Sequence, residues 1–213
     1  MPEMKKEPER RAFVFDVRAE ESDRGRILTG RPIVYNSRTN LGFFDEIIEA
    51  GALDGADLTD VRFLVNHNTD MIPLARSRRN NGNSTMQLSV DAEGLLINYV
   101  LLDTENNDTA RALYSAVQRG DISGMSFMFR VDGEAWDDLE SNHPTRRITK
   151  ISKVYEVSAV TFPAYDDTTI TARNQAALDN ARSALERARG AGPVDTGDDL
   201  KLAKLKLELL RRR

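Results

Sequence analysis

The chain has 213 residues, a formal net charge of −4 and no cysteine. The charge argues against nucleic acid as the main partner, because phosphate neutralisation needs a dense basic surface. The missing cysteine removes disulfides, thiolate nucleophiles and Cys-ligated zinc together, as fits a reducing cytoplasm. Hydrophobic residues at 40% permit a real core, and charged residues at 30% point to a solvated helix or tail beside it.

Residues 1–11 are charged and are expected to be disordered. No apolar h-region follows them, so they do not read as a signal peptide. In "RAFVFDVRAE", Phe13, Phe15 and Val17 alternate onto one face, the period-2 signal of a strand. "GRILTGRPIVYN" reads as a second strand, with Gly30 and Pro32 marking a bulge or bend. "GFFDEIIEAGALDGA" reads as a strand and a turn, and "VRFLVNH" as a strand entering a polar loop. "STMQLSVDAEGLLINYVLLD" reads as a hairpin turning at Asp91-Ala92-Glu93-Gly94.

A helix follows. Ala110, Leu113, Ala116 and Val117 form its apolar stripe, Thr104 or Asn107 its cap, and Gly120 its stop. Strands return in "GMSFMFRVD" and "TRRITKISKVYEVSAVTF". The expected fold is mainly β with helices (α+β), a β-barrel-like core over residues 12–172 rather than a parallel βαβ arrangement. Residues 173–213 change character: two helix-forming runs flank the linker "GAGPVDTGDD" and make a helical C-terminal extension. No run approaches a membrane span.

The candidates for chemistry are few. His67 and His143 are the two histidines, so a multi-histidine metal site is not expected, nor any cofactor. His67 sits where a strand becomes a loop, the usual place for a presented reactive group. His143 lies in a polar loop and reads as structural. Two serines, Ser123 and Ser126, stand in "GDISGMSFMF". If Met125 to Arg130 is a strand, Met125, Phe127 and Phe129 take one face and Ser126, Met128 and Arg130 the other. The phenylalanine face is the expected core, which leaves Ser126 facing away from it, where a cleft could lie. Gly124 is expected to break the strand, which makes Ser123 a loop residue and the runner-up. Glu156 interrupts an apolar strand, which costs energy unless it is paired. A serine, a histidine and a carboxylate on separate elements are the parts of a serine hydrolase.

The segment order "FFDEIIEAGAL", "VRFLVNHNTDMIPLA", "LSVDAEGLLINYVLLDT", helix, "GDISGMSFMF", "YEVSAVTFPAY" resembles the prohead (capsid maturation) serine proteases of tailed bacteriophages. The resemblance covers residues 12–172. It implies a fold similar to the herpesvirus assemblin proteases, a mostly antiparallel β-barrel surrounded by a few helices. It also implies His67, Ser126 and Glu156 as the catalytic residues. Asn68, Ala75 and Met128 depart from the usual pattern, which more often has an acidic residue, a glycine and a glycine there. Ala164 and Tyr165, just after the Glu156 strand, are candidate oxyanion donors through their amides, with Arg130, Arg146 and Arg147 as charged alternatives.

The implied activity is a serine endopeptidase working inside the immature prohead, in the host bacterial cytoplasm. Its implied substrates are the scaffolding segment of the major capsid protein, or a scaffold protein, and then itself. The herpesvirus analogy adds a homodimer. The Gly-Pro linker before the last helix is a segment open to self-cleavage. The alternative is a non-catalytic protease-like assembly factor that binds capsid protein while its tail scaffolds the shell. A general esterase fits less well, since the serine lacks a Gly-x-Ser-x-Gly elbow.

Overall fold

In a computed structural model, residues 8–13, 17–161 and 175–190 are described. Strand β1 (Glu9–Phe13) opens the chain, followed by β2 (Val17–Ser22), β3 (Gly25–Val34), β4 (Arg38–Asn40), β5 (Asp45–Ile48), β6 (Arg62–Val65) and β7 (Ala75–Arg76). Then come the hairpin β8 (Met86–Asp91) and β9 (Gly94–Leu101), helix α1 (Asp108–Gln118), the long strands β10 (Gly124–Asp137) and β11 (Thr145–Val160), and helix α2 (Gln175–Gly190).

The strands form two sheets. One runs β2-β3-β9-β8. The other runs β1-β10-β11-β5-β4, with β6 and β7 also attached through β11. The mainly β expectation holds, but neither sheet closes into a barrel among the described residues: each keeps edge strands. The pairing is also mixed. The first half of β11 takes β5 in parallel and its second half takes β6 in parallel. A strand of 16 residues is long enough to serve two four-residue neighbours in succession.

The alternation read from the sequence places the core. Met125, Phe127, Phe129 and Val131 are fully buried, as are Ile151, Val154 and Val157 on β11. The rings of Phe127 and Phe129 lie 4.9 Å apart. The β8–β9 turn needs its glycine: Gly94 has φ 141°, and a Cβ there would lie 2.1 Å from the Ile33 carbonyl oxygen. Gly30 sits between two register shifts of the β3–β9 pair, the irregularity expected there. Helix α1 is capped by Asn107, whose side chain accepts from the Thr109 and Ala110 amides, and it buries Ala110, Leu113, Tyr114 and Val117.

Three expectations are corrected. The charged N-terminus is not wholly disordered: residues 9–11 belong to β1, which pairs antiparallel with β10. The charges of Glu9 and Arg11 are neutralised inside the fold. Arg11 bonds Glu46 and Glu9, and Arg146 bonds Glu9, Glu46 and Glu134. Next, "RAFVFDVRAE" is not one strand but parts of β1 and β2, which join different sheets, with Phe15 outside the described residues. Last, Gly124 does not break β10; it is the strand's first residue, paired with Val160.

Helix α2 forms where the C-terminal extension was expected, and it docks. Leu185 is buried with Phe44 in a satellite cluster that includes Leu41, Phe43, Trp136 and Leu139. Arg189 donates to the carbonyls of Leu139 and Ser141. The Gly-Pro linker beyond Gly190 and the last helical run lie outside the described residues.

Candidate active site

His67 follows β6 directly. That strand lies parallel to β11, with Arg62 against Glu156 and Val65 against Ala159. The chain then turns sharply: the Asn68 amide donates to the Val65 carbonyl over 3.1 Å, and Asn66 and His67 have φ of 52° and 56°. Two consecutive positive φ values at the centre of a turn are the mark of type I′. Asparagine accepts this conformation readily and histidine less so. Asn66 holds the turn in place. Its Nδ2 donates to Thr161 Oγ1 and its Oδ1 accepts from the Thr161 amide, both at 3.0 Å. The base of the turn is thus tied to the end of β11.

This turn brings the imidazole to Glu156. Nδ1 of His67 is hydrogen-bonded to Oε1 of Glu156, whose residue is 2% exposed. The second oxygen, Oε2, accepts from the Ser158 hydroxyl at 2.6 Å. Ser158 Oγ also accepts from the backbone N–H of His67 at 3.1 Å. Against an ionised carboxylate, which only accepts, a neutral imidazole donates from Nδ1 and leaves the Nε2 lone pair free.

Ser126 lies on β10 directly opposite Ser158 on β11. Directly opposed residues share a face, with Cα atoms about 4.5–5.5 Å apart. Ser126, Ser158 and Glu156 therefore lie on one face of the β10–β11 pair, opposite the phenylalanine core. Ser126 is fully buried, and its hydroxyl donates to the carbonyl oxygen of Arg11 in β1 at 2.6 Å. Among the described residues no hydrogen bond joins it to His67.

The other candidates separate from this group. Ser123 is exposed in the loop before β10. His143 is hydrogen-bonded through Nε2 to Asp45 at 2.9 Å, in keeping with a structural role. Arg146 is committed to Glu9, Glu46 and Glu134, Arg147 to Glu49 and Asp137, and Arg130 to Ser152 and Asp132. Ala164 and Tyr165 lie outside the described residues. Sequence reasoning missed Ser158. The signal was there in "EVS": a residue two beyond Glu156 on a strand takes the same face.

A half-buried imidazole paired through Nδ1 with a buried carboxylate, and a serine on the adjacent strand of the same face, are the raw material of serine-protease chemistry. The sequence matches the family described as caudovirus prohead serine protease over residues 13–182. The chain belongs to that family. As a prohead protease it is a hydrolase of phage capsid maturation, acting in the prohead within the host. The match runs past residue 172 into α2, so the family's region includes part of the docked helix. No curated protein and no solved structure matches the chain. No described helix is long and apolar enough to cross a membrane.

Proposed function

We propose that the chain is a serine endopeptidase of the Ser-His-Glu type, with Ser126 as nucleophile, His67 as general base and Glu156 as the orienting carboxylate. It cleaves the scaffolding segment of the major capsid protein, or a separate scaffold protein, and then itself. The observation that carries the reading is the His67 Nδ1–Glu156 pair beside a strand whose register sets Ser126 on the same face.

The chemistry follows from the proton inventory. With Nδ1–H spent on Glu156, Nε2 takes the Ser126 proton as Oγ attacks the scissile carbonyl. The imidazolium so formed is stabilised by Glu156, and it returns the proton to the leaving amine. Water then repeats the cycle on the acyl-enzyme. The oxyanion is assigned to the amides of Ala164 and Tyr165, because the three arginine candidates are each engaged elsewhere. Burial of Ser126 and its bond to the Arg11 carbonyl fit a resting, latent state in which substrate entry requires β1 to move.

The test is direct. Wild-type and Ser126→Ala chains are incubated with proheads, and the products are identified by mass spectrometry. Wild type alone should trim the capsid or scaffold protein and itself. Identical products from both chains would remove Ser126 from the mechanism. If His67→Ala blocked no processing while assembly continued, the non-catalytic assembly reading would take its place.

A further inference from the structure

We infer that Ser158 is a positioning residue of the active site, a fourth member that orients the base and the carboxylate together. The inference rests on the Ser-His-Glu reading above. Its hydroxyl makes two bonds with opposite roles. It donates its single proton to Glu156 Oε2 at 2.6 Å and accepts the His67 backbone N–H at 3.1 Å. One side chain thereby fixes both ends of the His67–Glu156 pair.

Each bond answers a specific physical need. Glu156 is buried, and a buried carboxylate with an unpaired oxygen is costly. His67 occupies one oxygen, and Ser158 satisfies the other. That prevents the carboxylate from rotating about its last torsion to find another donor. His67 sits in a positive-φ turn that a histidine does not favour. The bond from its amide to Ser158, with the Asn66–Thr161 pair beside it, holds that turn against relaxation. Release of either constraint displaces the imidazole relative to Ser126, and misplacement by about 1 Å typically costs on the order of a hundredfold in rate.

The same inventory separates Ser158 from the nucleophile. Its proton goes to a carboxylate rather than to an imidazole nitrogen, and its lone pair is engaged by an amide. It lies on β11, directly across the strand pair from Ser126.

The test compares full-length wild type, Ser158→Ala and Ser158→Thr. The first readout is the proton resonance of His67 Nδ1–H, which does not depend on turnover; with two histidines in the chain, a His143→Gln background isolates it. The second is the rate of covalent labelling by a fluorophosphonate, followed against probe concentration. In Ser158→Ala the Nδ1 resonance should broaden or move. The maximal labelling rate should fall about ten- to a hundredfold with the half-saturating probe concentration unchanged. Ser158→Thr, which keeps the hydroxyl, should recover the resonance. An unchanged resonance in a folded Ser158→Ala chain overturns the inference, whatever the labelling rate. So does loss of all labelling in Ser158→Ala with labelling retained in Ser126→Ala, which would make Ser158 the nucleophile. Full processing by His67→Ala or Glu156→Gln would instead defeat the underlying Ser-His-Glu reading, a result distinguishable from either.

Discussion

The Ser126 hydroxyl donates to the carbonyl oxygen of Arg11, 2.6 Å away on the neighbouring strand. If Ser126 is the nucleophile proposed above, a proton engaged by a backbone carbonyl and a side chain with no exposed surface leave it in reach of neither base nor substrate. Ala12 pairs with Ser126 in the β1–β10 register, so β1 covers the position where an extended substrate would have to lie. A chain lacking residues 1–11 should therefore label faster with a fluorophosphonate than the full chain. Equal rates, with both chains folded by circular dichroism, would show that β1 does not limit access.

Attachment of β1 should depend on pH through Glu9. Burial alone would raise its pKa, but hydrogen bonds and charge from Arg146 and Arg11 overcome this and hold it at about 2, below the ordinary 4.5. A carboxyl group depressed on folding stabilises the fold fully above its unfolded value. It loses that contribution as the pH falls through the folded one. The β1–β10 pairing should thus weaken between pH 4.5 and 2. Amide exchange, corrected for intrinsic rates, should show protection at Phe127 and Phe129 falling before that of α1. Simultaneous loss in both places would mean that the whole domain titrates together.

The carboxylate has its own test. Glu156→Gln keeps the shape but replaces an acceptor oxygen with an NH2 group, which disfavours the Nδ1–H tautomer and cannot stabilise an imidazolium. Processing should fall by roughly 10⁴-fold, the scale known for the equivalent change in a serine-protease triad. A fall of less than tenfold would remove Glu156 from the catalytic group.

The two serines of the "GDISGMSFMF" stretch should behave oppositely. Ser123 is exposed and precedes the strand, so Ser123→Ala should leave labelling intact and change stability by no more than about 0.5 kcal/mol. On the core face, Phe127→Ala should cost about 3–5 kcal/mol in urea unfolding, since it empties a fully buried site. Parity placed Phe127 on the core face because Met125, Phe127 and Phe129 alternate without error, and a one-residue slip would move all three to the opposite face.

Other features did not show in the sequence. Charged residues such as Glu9 and Arg11 read as solvated by composition, and burial reverses this only when partners from distant strands arrive, here Glu46 and Arg146. The parallel pairings were hidden for a related reason. β5 and β6 are four residues each, and their partner β11 is about a hundred residues away, with a hairpin, α1 and β10 between them rather than a simple βαβ crossover to announce the pairing. Glu156 and His67 were legible singly, one as a charge in an apolar strand and the other at a strand end. Their contact depends on the turn at Asn66, whose positive φ leaves little trace in composition.

The docking of α2 can be followed through the chain's one tryptophan. Trp136 packs edge-on against Phe44, with ring centroids 4.9 Å apart, in the cluster that Leu185 completes. Removing Leu185 uncovers one side of that cluster and admits water to the indole. Leu185→Asp adds the cost of burying a charge among apolar groups, so the helix should leave rather than accept it. The emission of Trp136 should shift to longer wavelength in Leu185→Asp. It should shift equally in a chain ending before residue 175, while the β1–β11 fold persists by circular dichroism. If self-processing removes this helix during maturation, the same shift should accompany cleavage in wild type and be missing in Ser126→Ala. A shift in neither variant would place the stabilising contacts of Trp136 elsewhere than α2.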